Sequence, residues 1–305
     1  RIEIVTEGVF TRMILDDPAL DGIAAVIFDE FHERSLDADL GLALALDARA
    51  LNDDLRLLVM SATLDGAAVA RLMDEAPVIA SEGRAFPVET RHVARDPAMH
   101  VADQTARVIL DALRADQGSV LAFLPGEGEI RRAADYLAPR VPADTEIAPL
   151  YGRLEPQAQD RAIAPAPAGK RKIVLATSIA ETSLTIEGIR IVVDSGYARG
   201  PAYEPATGLT TLETRRVSRA AADQRRGRAG RTEPGICYRL WNEGQTAAPR
   251  PFDPPEILVA DLAGLVLDLA GWGITDPLAL GFLDSPPAPA WAEAVALLKR
   301  LDALD

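Results

Sequence analysis

Two adjacent carboxylates, Asp29 and Glu30, follow the apolar run Ala24-Ala25-Val26-Ile27-Phe28 and lead into Phe31-His32-Glu33-Arg34. A run of that length and type reads as a strand buried on both faces. Carboxylates at the carboxyl end of a parallel strand stand where open α/β sheets bind ligands. Asp29 is placed to hold Mg²⁺ partly through water, and Glu30 to polarise an attacking water beside the same ion. Far downstream, Gln224-Arg225-Arg226-Gly227-Arg228-Ala229-Gly230-Arg231 supplies guanidinium groups able to neutralise a triphosphate. Together the two motifs point to nucleoside-triphosphate hydrolysis, with the site shared by two parts of the chain. Each has a plainer explanation alone: a solvated turn after a strand, and a basic surface helix.

Two further motifs sit at strand ends. Ser61-Ala62-Thr63 follows the strand Leu55 to Met60. Its hydroxyls could bridge a nucleotide site and a neighbouring lobe, or Thr63 or Asp65 could simply cap a helix over 64–74. The stretch Lys172 to Asp194 contains a buried strand that ends at Ala176-Thr177-Ser178, with Ala180-Glu181-Thr182-Ser183 following. Hydroxyls and backbone N–H groups at such a junction suit phosphate contact, of a nucleotide or of a nucleic-acid backbone. A hydroxyl-rich turn is the alternative.

The elements that must position these residues alternate. The pattern predicts strands at 24–29, 55–60, 119–124, 172–177, 190–194 and 235–240, and helices at 36–51, 99–115, 127–138 and 155–163. Such alternation implies parallel sheets with crossover helices. Ser81 to Pro87 and the proline-rich Pro249 to Pro255 read as joints, and the region after Glu256 reads as helices at 256–271 and 289–304. Leu258, Leu262, Leu265, Val266 and Leu269 fall at helical spacing and read as core, as do Trp241, Trp272 and Trp291. The chain starts at Arg1 in the middle of a pattern and closes just after a helix, which suggests a fragment cut at both ends.

Composition bounds the class. The 305 residues suit about two domains. One cysteine, Cys237, excludes a disulfide framework, and three scattered histidines make no metal cluster. No apolar run is long enough for a membrane helix, and a reducing cytoplasm is the natural compartment. The net charge is −14. Residues 1–82 carry 6 basic and 17 acidic side chains, 249–305 carry 3 and 9, and 83–248 carry 23 and 20. Only the middle could attract phosphate, so a nucleic acid would be held by local backbone contacts, weakly and with strong salt dependence outside its groove.

Asp29-Glu30-Phe31-His32, Ser61-Ala62-Thr63, Ala176 to Ile186 and Gln224 to Arg231 occur in an order and spacing that resemble the DEAH-box helicases of superfamily two. The box is written with Phe31 in third place, and the resemblance covers essentially the whole chain. It implies an α/β fold with two RecA-like parallel-sheet lobes, the first one truncated, and then a partial, mostly helical winged-helix domain. The implied boundaries are 1–82, 83–248 and 249–305. It implies an ATP-dependent RNA helicase that uses ATP and Mg²⁺, acts on single-stranded nucleic acid and works as a monomeric motor away from membranes. By that resemblance Asp29, Glu30, Gln224, Arg228 and Arg231 are catalytic, and Ser183 joins them in binding nucleotide. His32, Ser61 and Thr63 couple the nucleotide site to the motor. Thr6, Glu7, Gly8, Phe123, Leu124, Thr177 and Thr182 contact the nucleic acid, and Tyr197 to Val217 forms a strand-splitting β-hairpin.

The chain departs from the family pattern in three places. It holds no G-x-x-x-x-G-K-[ST] phosphate loop; the expectation is that this loop lies upstream of Arg1 and that the fragment alone hydrolyses ATP poorly or not at all. Ile163 stands where relatives carry an aromatic that stacks on the base, and Ser178 where they carry Asn. A non-catalytic nucleic-acid-binding or assembly factor, or a motor for DNA, are the competing readings.

Overall fold

A computed structural model describes residues 1–62, 66–81, 83, 86–181, 186–204, 209–246 and 249–305. In chain order, α1 (Glu7–Asp16), β1 (Ala25–Phe28), α2 (Leu36–Ala48), β2 (Arg56–Val59) and α3 (Gly66–Leu72) come first. An alternating run follows: β3 (Val88–His92), α4 (Val101–Ala115), β4 (Ser119–Phe123), α5 (Glu127–Leu137), β5 (Thr145–Leu150), α6 (Pro156–Ile163), β6 (Arg171–Ala176) and β7 (Ile189–Asp194). The strands β8 (Tyr197–Glu204) and β9 (Leu209–Arg216) pair with each other. Then come α7 (Arg219–Gly227), β10 (Gly235–Arg239), α8 (Ala263–Gly271) and α9 (Ala288–Arg300). The fold class is α/β. Two compact units emerge, one of residues 1–81, 201–211 and 254–305, the other of 82–200 and 212–253.

The second unit is built on six parallel strands in the order β3-β10-β7-β4-β6-β5. Its central strands are apolar without alternation because helices cover both faces. In β4, Val120 and Ala122 point into a core shared with Ile109 of α4 and Ile130 and Leu137 of α5. Leu121 and Phe123 point the other way, into a core with Val174, Cys237 and Ala229. Cys237 is fully buried, and that burial pushes its thiol up to about 12, so it is inert as a nucleophile. The edge strands β3 and β5 lie outside the strands expected from sequence. Val88-Glu89-Thr90-Arg91-His92 is polar, and β5 contains Pro149, as an edge strand tolerates.

In the first unit β1 and β2 pair in parallel, Phe28 opposite Val59. Burial on both faces was the expectation for β1, and it does not hold. Phe28 is buried while Ile27 is 57% exposed, and in β2 Leu58 is 49% exposed. Alternate residues face a single core, and no described element covers the other side. That core joins Phe10 and Ile14 of α1, Leu40 and Leu44 of α2, Leu265 and Leu269 of α8 and Leu298 of α9. Gly41 of α2 makes the close packing possible, since a Cβ there would lie 3.2 Å from the Phe10 ring and 3.4 Å from that of Phe28. The helix expected over 256–271 is broken: a short 3₁₀ turn at Glu256–Leu258 precedes α8, and Asp261 Oδ1 accepts from the backbone N–H of Ala263 at 2.6 Å. Leu258 therefore falls out of phase and is exposed, while Leu262, Leu265, Val266 and Leu269 are buried. No helix among the described residues is long and apolar enough to cross a membrane.

Candidate functional site

Asp29 follows the last residue of β1, and its Oδ1 accepts from the backbone N–H of Glu30 at 2.8 Å. Glu30 then turns the chain with φ 50 and ψ 32, the left-handed region that costs a side-chain-bearing residue about 1–3 kcal/mol. The surroundings hold that turn in place. Met60 N–H donates to Phe28 O at 2.7 Å, and Phe31 N–H donates to Met60 O at 3.0 Å. The buried Phe31 ring meets Phe28 edge to face, with centroids 6.3 Å apart. Both carboxylates are thus fixed at the carboxyl end of a parallel strand while remaining open to solvent.

His32 is folded back over the same corner. Its Nδ1 lies 3.4 Å from the backbone N of Ala62 and 3.4 Å from Oε2 of Glu30. The turn thereby touches the segment after β2 on which Ser61 is exposed. Thr63 lies outside the described residues. Beneath the turn, Arg34 is pinned by Asp39 through Nε at 2.9 Å and Nη2 at 3.0 Å, and by Asp284 at 2.7 Å. Burial lifts the Asp39 carboxyl above the ordinary range despite the opposing arginine. Ser35 caps α2, accepting from Ala38 N–H at 3.1 Å, and donates to Glu7 Oε2 at 2.6 Å.

The arginine motif occupies α7 and the 3₁₀ turn Arg228–Gly230 after it. Arg225 has no exposed surface. Its Nε donates to Glu181 Oε1 at 2.8 Å, its Nη1 to Asp194 Oδ1 at 2.8 Å and to Tyr197 O at 3.2 Å. Its guanidinium also stands 4.8 Å from the Phe123 ring centroid. Burial raises the Glu181 carboxyl, Arg225 opposes, and Asp194 adds to the rise, because one cation serves two carboxylates. Arg228 is 6% exposed and donates from Nε to the backbone carbonyl of Glu181 at 2.8 Å. Gln224 is half-buried on α7, and Arg231 is exposed. Ser183 lies outside the described residues.

Arg225, Glu181 and Asp194 were not among the expected site residues. The signal for Arg225 was present: Ala221, Ala222, Arg225 and Ala229 share the buried face of α7. Nothing in the spacing could name its two carboxylates.

The residues expected at nucleic acid are divided. Thr6 is the N-cap of α1 with no side-chain cap, Glu7 opens the helix, and a Cβ on Gly8 would lie 3.1 Å from Asp37 Oδ2. Burial raises the Glu7 carboxyl; the bond from Ser35 opposes, and Glu33, Asp37 and Glu256 add to the rise. Phe123 and Leu124 are wholly inside the core. Leu124 N–H donates to Ala176 O at 2.8 Å, and Phe123 O accepts from Ser195 N–H at 3.2 Å. Thr177 is half-buried at the end of β6, and Thr182 lies outside the described residues.

No group of three or more His, Cys, Asp or Glu among the described residues could hold a metal ion. The Asp29–Glu30 corner nonetheless fits Mg²⁺, which dehydrates reluctantly and takes one or two carboxylates with water and substrate phosphates as its remaining ligands.

The family of the helicase conserved C-terminal domain matches residues 103–233. The chain is 52% identical over 306 positions to the ATP-dependent RNA helicase HrpB of Escherichia coli (strain K12), over 100% of this chain and 38% of that protein. It is 37% identical to the pre-mRNA-splicing factor ATP-dependent RNA helicase prp22 of Schizosaccharomyces pombe, covering 100% of this chain and 27% of the relative. A crystal structure of the Escherichia coli DEAH/RHA helicase HrpB superposes with a TM-score of 0.95, over 100% of this chain and 39% of that one. The chain thus spans less than two fifths of the length of these relatives.

Proposed function

We propose that this chain, which belongs to the DEAH-box helicases of superfamily two, is part of an ATP-dependent motor that translocates on single-stranded RNA and unwinds duplexes in the cytoplasm. The observation that carries the reading is the strand-end corner where Asp29, Glu30 and His32 are held together against the backbone of Ala62. We assign residues 1–82 to the end of the first RecA-like lobe, 83–248 to the second lobe, and 249–305 to the start of a winged-helix domain. The compact units support the break near residue 82, while grouping 254–305 with the first segment.

ATP with Mg²⁺ supplies an electrophilic phosphoryl group whose charge is spread over its oxygens. Asp29 would hold the ion, partly through water, and Glu30 would take the proton of the attacking water. Gln224 orients that water, and Arg228 and Arg231 neutralise the charge that builds on the transferring group, an effect worth roughly 10³–10⁵ in rate. Ser183 extends the same reading to the segment after β6, where Thr182 is assigned to the nucleic-acid strand. His32, Ser61 and Thr63 pass the state of the phosphates to the strand-binding side, where Thr6, Glu7, Gly8, Thr177 and the Phe123–Leu124 strand end are assigned. We assign the motor a monomeric state.

The test is steady-state ATP hydrolysis by the full-length protein that carries this chain, with and without single-stranded RNA, beside Glu30→Gln. Stimulation by RNA that disappears in Glu30→Gln supports the motor. RNA binding without hydrolysis in either protein overturns it and leaves a binding factor on a helicase fold. Equal stimulation by single-stranded DNA removes the RNA assignment alone.

A further inference from the structure

The carboxyl ends of β7 and β10 lie side by side, Asp194 opposite Arg239, and beyond them a half-open cavity of about 60 Å³ forms at the N-terminal end of α7. Arg216, Arg219 and Arg239 line it, against the single carboxylate of Asp223, with Trp241 as its apolar wall.

Arg239 is the buried member, 5% exposed. Its Nη2 donates to Ala222 O at 3.0 Å and to Asp223 Oδ1 at 2.8 Å, and its side chain also meets the Cys237 thiol. Its Nε is buried and donates to nothing among the described residues. A buried guanidinium Nε without an acceptor is unusual, because unmet donors in low dielectric are costly. Arg216 and Arg219 are exposed at the mouth, and neither is in an ion pair among the described residues. The contrast with their neighbours is sharp in a chain of net charge −14. Arg215 and Arg250 both reach Asp253, at 3.8 and 2.8 Å, and Arg225 is held by two carboxylates.

The wall is rigid. The Arg239 guanidinium stands 5.4 Å from the Trp241 ring centroid, which fixes its plane. Gly196 has φ 80, and a Cβ there would come within 2.9 Å of the indole. Trp241 Nε1–H donates to Thr246 Oγ1 at 3.2 Å, so the Thr246 hydroxyl keeps its own proton to give.

We propose that this cavity binds a phosphate group. Three converging guanidiniums call for an oxyanion. The volume admits about two waters, or one tetrahedral anion in their place. The site is separate from the phosphates assigned to Arg228 and Arg231: Arg219 and Arg228 are nine residues apart along α7 and its following turn, roughly 13 Å at the helical rise. Free inorganic phosphate and the terminal phosphate of a nucleic-acid strand offer the same chemistry.

Isothermal titration of the full-length protein at constant ionic strength tests this. The probes are inorganic phosphate and an RNA trinucleotide with a 5′-phosphate, compared with its 5′-hydroxyl twin. The variants are Arg216→Gln/Arg219→Gln, whose side chains are exposed and whose loss leaves the core intact, and Arg231→Gln. A saturable site for either phosphate probe is expected, weakened about tenfold or more in the double variant, since charge-assisted hydrogen bonds are lost, and kept in Arg231→Gln. Binding of phosphate alone names the free anion as the source; preference for the 5′-phosphate over its twin names the strand end. No binding of either probe overturns the proposal. So does binding that the double variant retains, or that Arg231→Gln alone removes.

Discussion

Glu181 holds two arginines of the same motif through two different groups: its carboxylate receives Arg225 Nε at 2.8 Å, and its backbone carbonyl receives Arg228 Nε at 2.8 Å. The direction of Arg228 is therefore set one residue removed, by an ion pair whose arginine is fully buried and whose carboxylate is 15% exposed.

Removing that cation should be costly. Arg225→Met leaves Glu181 and Asp194 buried without their partner, and the expected loss is about 3–5 kcal/mol of stability. Urea unfolding followed by circular dichroism measures it. A loss below about 1 kcal/mol would mean that both carboxylates take up protons or water without cost.

The acidic surroundings of Glu7 make a pH prediction. Its carboxyl is raised in the folded protein, by burial first and by Glu33, Asp37 and Glu256 against the pull of Ser35. Below the ordinary glutamate range both folded and unfolded chains carry the proton, and no penalty exists. As pH rises through the elevated folded value, ionisation is opposed only in the folded state, and stability falls. Glu7→Gln removes that fall and keeps an acceptor for Ser35. The variant should melt above the parent at about pH 7 and together with it at about pH 3.5. A difference that is constant across this range would assign the effect to something other than titration.

His32 Nδ1 can accept from Ala62 only when it carries no proton, and can donate to Glu30 only when it does. The single nitrogen thus chooses between the carboxylate and the segment after β2. His32→Ala should reduce strand-stimulated hydrolysis by roughly five- to tenfold, the worth of one ordinary hydrogen bond. His32→Asn, which offers an amide oxygen near the position of Nδ1, should lose less. Steady-state kinetics on the full-length protein decide, and equal losses would place the effect elsewhere on the ring.

Glu30 trades backbone strain for position. At φ 50 a glycine is relaxed where a glutamate or glutamine is not. Glu30→Gly should be more stable than Glu30→Gln by about 1 kcal/mol in urea unfolding, with hydrolysis absent from both. If Glu30→Gln is the more stable, side-chain contacts rather than backbone strain govern the turn.

What could be read from the sequence follows from how local each feature is. The strands β4, β6, β7 and β10 announce themselves because both faces are buried and each carries a continuous apolar run. The strands β3 and β5 do not, because edges need fewer apolar residues. The carboxylate pair and His32 are visible because they are contiguous. The network of Glu181, Asp194 and Arg225 is not, because its members lie 44 and 31 residues from the arginine and meet only through the fold. Arg34 and Asp284, 250 residues apart, are the extreme case. The arginines Arg228 and Arg231 were given one role by pattern, yet one is buried against a carbonyl and the other exposed.

The shared core of the first unit has a consequence for synthesis. Ile14, Leu44 and Phe31 complete their packing against Leu265, Leu269 and Leu298, which the ribosome delivers only after residues 82–253. At 5–20 residues per second that delay is roughly 9–34 s. During it the early segment presents an uncovered greasy face to the cell, while the intervening sheet can already close. A chaperone that shelters nascent chains has its longest task here on residues 1–81, whose packing waits for residues 254–305.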